Sequence, residues 1–273
     1  MHTLKTLVSL YTVYGIFLSG CIDIEKIDTE TDTNEENQTD TSNDTDEPYE
    51  PDVVDEPEPN YECGNEGLYT PSPIGQWKVC LSNALIQNSP TIQEQSLALL
   101  NTDLDRIETL LDNRIVSQLQ TVFIWVEDDV EQFPGAVYHP SPQWLSQNGY
   151  PTYWAQSIQI GNATNYLSWT AVQPAMVLHE LSHAWHHQVL GYEQSTILAA
   201  YDNAMASGIY SSVPYAGGGN QTAYATNNEM EYFAELTEAY FWENDFYPFV
   251  QSELQEFDPV GYEAVEEAWQ YTE

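Results

Sequence analysis

VLHELSHAWHH, residues 177–187, holds four of the chain's six histidines, and the rest of the chain is read outward from it. Within it, His179-Glu180-Leu181-Ser182-His183 is an HExxH motif. Pro174 suits the first turn of a helix and Gly191 the position just past its end. The stretch between them therefore reads as a helix of about four to five turns. Residues four apart on a helix lie one above the other, so His179 and His183 can direct ring nitrogens at one ion. Glu180, about 100° further round, sits beside that ion, where it can take a proton from a water the metal activates. Leu178, Leu181 and Trp185 give the helix a separate apolar side for packing. His186 lies a turn beyond, a poor fourth ligand, and a catalytic zinc needs an open position. With His187 it is expected to serve the helix end, where partial positive charge suits the dipole. The sequence gives no role to His139.

A third ligand must come from elsewhere. Six residues beyond His183 stands Val189, so a third histidine at that offset is missing. A glutamate on a second helix is the other option, and NEMEYFAELTEAYFWE (228–243) reads as a strong helix. It offers Glu229, Glu231, Glu235 and Glu238. The last three share one stripe and would repel one another unless something positive faces them. Another side of the same helix is aromatic, with Tyr232, Phe233 and Tyr240.

Residues 177–187 and 224–241 together resemble the catalytic centre of the anthrax lethal factor group of zinc peptidases, within the gluzincins. That group pairs HExxH with a helix carrying E-[FY]-F-A-E, which Glu231-Tyr232-Phe233-Ala234-Glu235 matches. The resemblance implies one zinc ion held by His179, His183 and Glu231, with Glu180 as general base. It implies that Glu235 orients a ligand histidine, and that Tyr224 donates its hydroxyl to the transition-state oxyanion. It also implies an α+β, zincin-like domain acting as an endopeptidase on peptide or protein substrates. Substrates of such enzymes lie along a sheet edge, for which SIQIGN (157–162) is the candidate. Two other readings fit the residues: a surface lipoprotein that binds a partner and carries a non-catalytic zinc site, and a zinc hydrolase of cell-wall amides.

Three segments precede or contain these motifs. Residues 1–20 have no acid, an early lysine and a short apolar run, the profile of a signal peptide. They end at Leu18-Ser19-Gly20-Cys21, which resembles a bacterial lipobox and implies cleavage before Cys21 and a lipid on its sulfur. Ile22, rather than an acid, follows, so outer-membrane or surface anchoring is expected. Residues 22–60 carry 16 acids and a single Lys26, too polar to bury a core, and read as a disordered tether within 21–60. Residues 61–273 are expected to form one monomeric catalytic domain. Its two cysteines, Cys63 and Cys80, suit a disulfide in an exported chain.

Residues 61–273 hold 27 acids against Lys78, Arg106 and Arg114, a formal balance of −24, with no lysine or arginine after Arg114. Nucleic-acid affinity rests on basic side chains, so such a partner is excluded. The field favours neutral or cationic substrates and metal cations. Around the motifs, 91–114 reads as an amphipathic helix with Asp103, Asp105 and Glu108 outward, and 121–128 as a strand. PGAVYHPSPQW (134–144) reads as a proline-punctuated loop with room for a short strand, and helices are expected at 200–210 and 260–271. The order of elements indicates α+β with one core.

Overall fold

The computed structural model describes residues 61–64 and 67–270. The expected signal peptide, Cys21 and the acidic tether lie outside them. The fold is α+β, a small mixed sheet with ten α-helices among the described residues. Strand β1 (Tyr69–Pro71) pairs antiparallel with β2 (Lys78–Ser82). Three helices follow: α1 (Asn83–Asn88), α2 (Pro90–Leu110) and α3 (Asn113–Leu119). The helix expected over 91–114 is thus two. Asp112 ends the run by capping α3, its carboxylate accepting from the Arg114 N–H at 2.9 Å.

Next come β3 (Phe123–Val126), β4 (Ala136–His139), α4 (Pro142–Gln147), β5 (Ser157–Ile160) and α5 (Ala163–Trp169). The strand order is β1-β2-β3-β5-β4, with β2, β3 and β5 parallel and β4 antiparallel to β5. SIQIGN therefore contributes an inner strand. The edge beyond it is β4, the short strand for which the proline-punctuated segment left room.

Both faces of the sheet are covered, which is why FIWV reads as a continuous apolar run and why even the polar Ser157 and Gln159 of the alternating SIQI are buried. Val79, Leu81, Ile124, Val126, Ile158 and Ile160 face the main helical core. Cys80, Trp125 and Val137 point the other way, into a smaller cluster with Cys63, Phe133, Leu145 and Trp154. A disulfide joins Cys63 to Cys80 on that second face. Gly161 lets the turn at Phe133 lie across the end of β5: a Cβ there would stand 1.8 Å from the Phe133 carbonyl oxygen.

Asp103, expected outward on α2, is buried, and its carboxylate accepts the Tyr166 hydroxyl at 2.5 Å. The tyrosine supplies the partner that a buried carboxyl requires. Burial raises the Asp103 carboxyl to about 6, against the Tyr166 hydrogen bond.

The remaining helices are α6 (Met176–Trp185), α7 (Ser195–Ser207), α8 (Glu229–Phe241), α9 (Gln251–Phe257) and α10 (Pro259–Gln270). A short hairpin, β6 (Val213–Pro214) with β7 (Asn220–Gln221), precedes α8. Helix α6 passes into a π-turn over His186–Leu190, and Gly191 at φ 77° ends it. Helix α10 braces α6 and α8 together. Trp269 stacks on Trp185 with centroids 5.5 Å apart and donates its indole N–H to Thr237 on α8.

Candidate metal centre and cleft

Helix α6 carries the HExxH motif through the interior, with every residue from Met176 to His186 buried. Helix α8 packs beside it. Asn228 caps α8, its side-chain oxygen accepting from the Glu231 backbone N–H at 2.8 Å, which puts Glu231 in the first turn. A carboxylate there gains from the positive end of the helix dipole. Asp258 accepts the Tyr232 hydroxyl at 2.6 Å and the Tyr210 hydroxyl at 3.2 Å, and so holds the other side of that turn.

Three atoms from the two helices form a nearly equilateral triangle. His179 Nε2 lies 3.1 Å from Glu231 Oε2 and 3.1 Å from His183 Nε2, and His183 Nε2 lies 3.2 Å from Glu231 Oε2. Ligands about 2.0–2.1 Å from a tetrahedral ion stand roughly 3.3 Å apart, so the triangle has the edge of one face of a zinc tetrahedron. The donor chemistry agrees. His179 Nδ1 lies 2.6 Å from Glu238 Oε1, a bond in which Nδ1–H donates and the Nε2 lone pair is left facing the triangle. These buried His and Glu groups could hold a metal ion.

The other residues singled out from the sequence sit around this triangle. Glu180 is buried beside it; its Oε2 has no hydrogen-bond partner, and the Tyr138 backbone N–H of β4 lies against the carboxylate. The Tyr224 hydroxyl, on a single 3-10 turn ahead of α8, donates to Glu231 Oε1 at 3.4 Å. Glu235 lies on the same side of α8, but the carboxylate on His179 is that of Glu238. Glu238 was one of four open candidates in the sequence; which acid meets Nδ1 is set by how the two helices cross.

Glu231, Glu235 and Glu238 are all buried, so their stripe is not a solvated face. Asp245, just beyond α8, adds a fourth buried carboxyl, with Oδ2 accepting from Gln173 at 2.9 Å. No sequence signal marks it. No lysine or arginine balances these groups among the described residues. Lys78 lies over Phe123, Arg106 over Trp242, and Arg114 pairs with Asp112.

The electrostatics follow. Burial raises Glu180, opposed by His179 and His183. Burial, then Asp245 and Glu238, hold Glu235 well above the usual carboxylate range. Asp245 is pushed up to about 7 by burial and then by Glu238. Burial alone would raise Glu231, but the His183 and His179 rings outweigh it and bring it below its ordinary value. Burial alone would lower His179, but the Glu231 and Glu238 hydrogen bonds outweigh it and raise it well above its ordinary value. A proton and a metal ion compete for the same Nε2 lone pair.

The centre opens on a cleft. One wall is Phe133–Val137, which includes the start of β4; Trp169, Met176 and Phe246 form apolar parts of the rest. His179, Glu180, Tyr224, Glu235 and Glu238 line it as well.

The remaining histidines lie outside the triangle. His186 is fully buried between the rings of Tyr192 and Phe233, and burial lowers it to about 3, so it carries no charge to the helix end. His187 places Nδ1 2.8 Å from the Tyr138 hydroxyl, and burial lowers it too. The expectation that the pair complements the helix dipole is thereby corrected. Both nitrogen-rich rings pack instead, because the π-turn tucks them inward. His139 is buried on the second face of the sheet, 3.0 Å from Gln159 Oε1, and burial lowers it to about 4.

No protein-family model, no curated protein and no solved structure matches the chain.

Proposed function

We propose that this chain is a zinc-dependent endopeptidase with a zincin-like catalytic domain. The observation that carries the reading is the triangle of His179, His183 and Glu231, flanked by Glu180 and Tyr224 at the cleft. Zinc bound there would supply Lewis acidity to a water and to the scissile carbonyl.

The chain's own residues do the rest. The partnerless Oε2 of Glu180 is free to take the proton of the attacking water and pass it to the leaving amine. Burial holds that carboxylate out of bulk water, which strengthens its basicity. The Tyr224 hydroxyl turns from Glu231 to the carbonyl oxygen as charge develops on it.

Substrate alignment falls to β4. Gly161 N–H donates to the Gly135 carbonyl on the β5 side, and antiparallel strands alternate the direction of their backbone groups. Ala136 and Tyr138 therefore turn theirs away from β5; the Tyr138 N–H is held by Glu180, which leaves the Ala136 end of the strand for a peptide. A peptide added along that edge would gain main-chain hydrogen bonds beside the centre. Export and a lipid anchor at Cys21 belong to the same reading, on the sequence of residues 1–21.

Metal analysis with peptide-library cleavage, comparing wild type and Glu180→Gln, tests it. The wild type should hold one zinc per chain and cleave peptides. Glu180→Gln should keep the zinc and lose hydrolysis by a factor of at least about 100. A protein that takes up no zinc near neutral pH sinks the idea. Full zinc with no cleavage of any peptide favours the partner-binding lipoprotein.

A further inference from the structure

We propose that the cleft selects a substrate residue with a long apolar stem ending in a cation, lysine or arginine, close to the bond to be cut. The inference rests on the peptidase reading and names the substrate class of the same site.

Its basis is an unmet acceptor in a cleft that also has apolar lining. Glu235 is 3 % exposed and lines the cleft, yet its Oε2 has no hydrogen-bond partner. Asp245, whose carboxyl acts on Glu235, likewise has a buried, unpartnered oxygen, Oδ1. Buried carboxyl oxygens are almost always paired, because leaving one unpaired forfeits its hydration without return. The metal triangle does not use Glu235. A second metal ion does not account for it either, since the nearest donors, His179 Nδ1 and Glu238 Oε1, are bonded to each other at 2.6 Å. The two remaining carboxyl groups, Glu235 and Asp245, fall well short of the oxygen shell a hard cation takes. No lysine or arginine of the described residues reaches the group.

The cation must then arrive with the ligand. Trp169, Met176 and Phe246 line the same cleft and suit the methylene stem that lysine and arginine lay along apolar surface while the charged head goes on to a polar partner. An α-amino terminus offers the charge without the stem. The balance of −24 over residues 61–273 draws such residues towards the protein.

The test uses the zinc-loaded full chain and acetylated, amidated peptide mixtures. Each mixture is degenerate except at one position, fixed as lysine or as its uncharged isostere norleucine. A third mixture has norleucine and a free α-amine. Binding is measured on Glu180→Gln, which needs no turnover, and cleavage on the wild type. Lysine should bind at least about tenfold more tightly than norleucine, as a charge-assisted hydrogen bond in a buried setting gives. In the double variant Glu180→Gln/Glu235→Gln that advantage should fall to within about twofold. Equal binding of lysine and norleucine overturns the proposal, and this comparison needs no change at Glu235. An advantage that survives Glu235→Gln, or one carried by the free α-amine instead, overturns it as well. If lysine is preferred in binding and no mixture is cleaved, the peptidase reading fails while the cation pocket stands.

Discussion

The bond between His179 and Glu238 separates two carboxylates that the sequence treats alike. Replacing Glu238 with glutamine keeps the size and removes the charge from a 2.6 Å contact on Nδ1 of a ligand histidine. The carboxylate fixes the ring's tautomer and enriches its Nε2; the amide, which can present either an oxygen or an NH₂, does both less well. Partners of this kind typically contribute a factor of about 10–100 in metal affinity, or about 1.4–2.7 kcal/mol. Glu238→Gln should weaken zinc binding by that factor. Glu235→Gln should leave it within about threefold, because the carboxylate bonded to His179 Nδ1 is that of Glu238 and not that of Glu235. The assay is competition against a chelating zinc indicator, with a thermal melt of each apo variant to check folding. Unchanged affinity in Glu238→Gln, or an equal loss in Glu235→Gln, would refute the assignment of the orienting role.

Two further predictions concern the scaffold. His139, lowered from 6.5 to about 4 by burial, binds fewer protons folded than unfolded, so its contribution is present above 6.5 and is lost as pH falls towards 4. That amounts to about 3 kcal/mol; Asp103, raised to about 6, works in the opposite direction through the same window, so the measurement is the difference in urea-unfolding free energy between wild type and His139→Gln at each pH, and an unchanged slope counts against it. Gly161→Ala puts a Cβ against the Phe133 carbonyl, where no side-chain movement relieves the contact, and should cost about 3 kcal/mol or more in denaturant unfolding; a loss under about 1 kcal/mol contradicts the close approach.

The local part of the site was legible in the residues. The i, i+4 spacing of His179 and His183 and the stripe on α8 are helix periodicity, and both meet in the triangle. What escaped depends on contacts between distant segments. Glu235 and Glu238 are both on the stripe, and only the crossing of α6 and α8 decides which reaches Nδ1. Asp103 looked solvated because its partner, Tyr166, lies 63 residues away. SIQIGN looked like an edge because its alternation says nothing of its neighbours, while the four residues of β4 were hidden between prolines. The π-turn after Trp185 left no sequence signal, and with it went the burial of His186 and the half-burial of His187.

Asn228 carries a consequence out of proportion to its contacts. By binding the Glu231 N–H it fixes where the first turn of α8 begins, and thereby the angular phase of every side chain that follows. A start displaced by one residue would turn the helix by about 100° relative to its cap. That would swing the carboxylates out of the cleft and bring Tyr232 towards the histidines. A residue outside the triangle therefore works as the index mark of the whole constellation. The placing of the candidate ligand Glu231 is set by a backbone capping event one turn earlier in the chain.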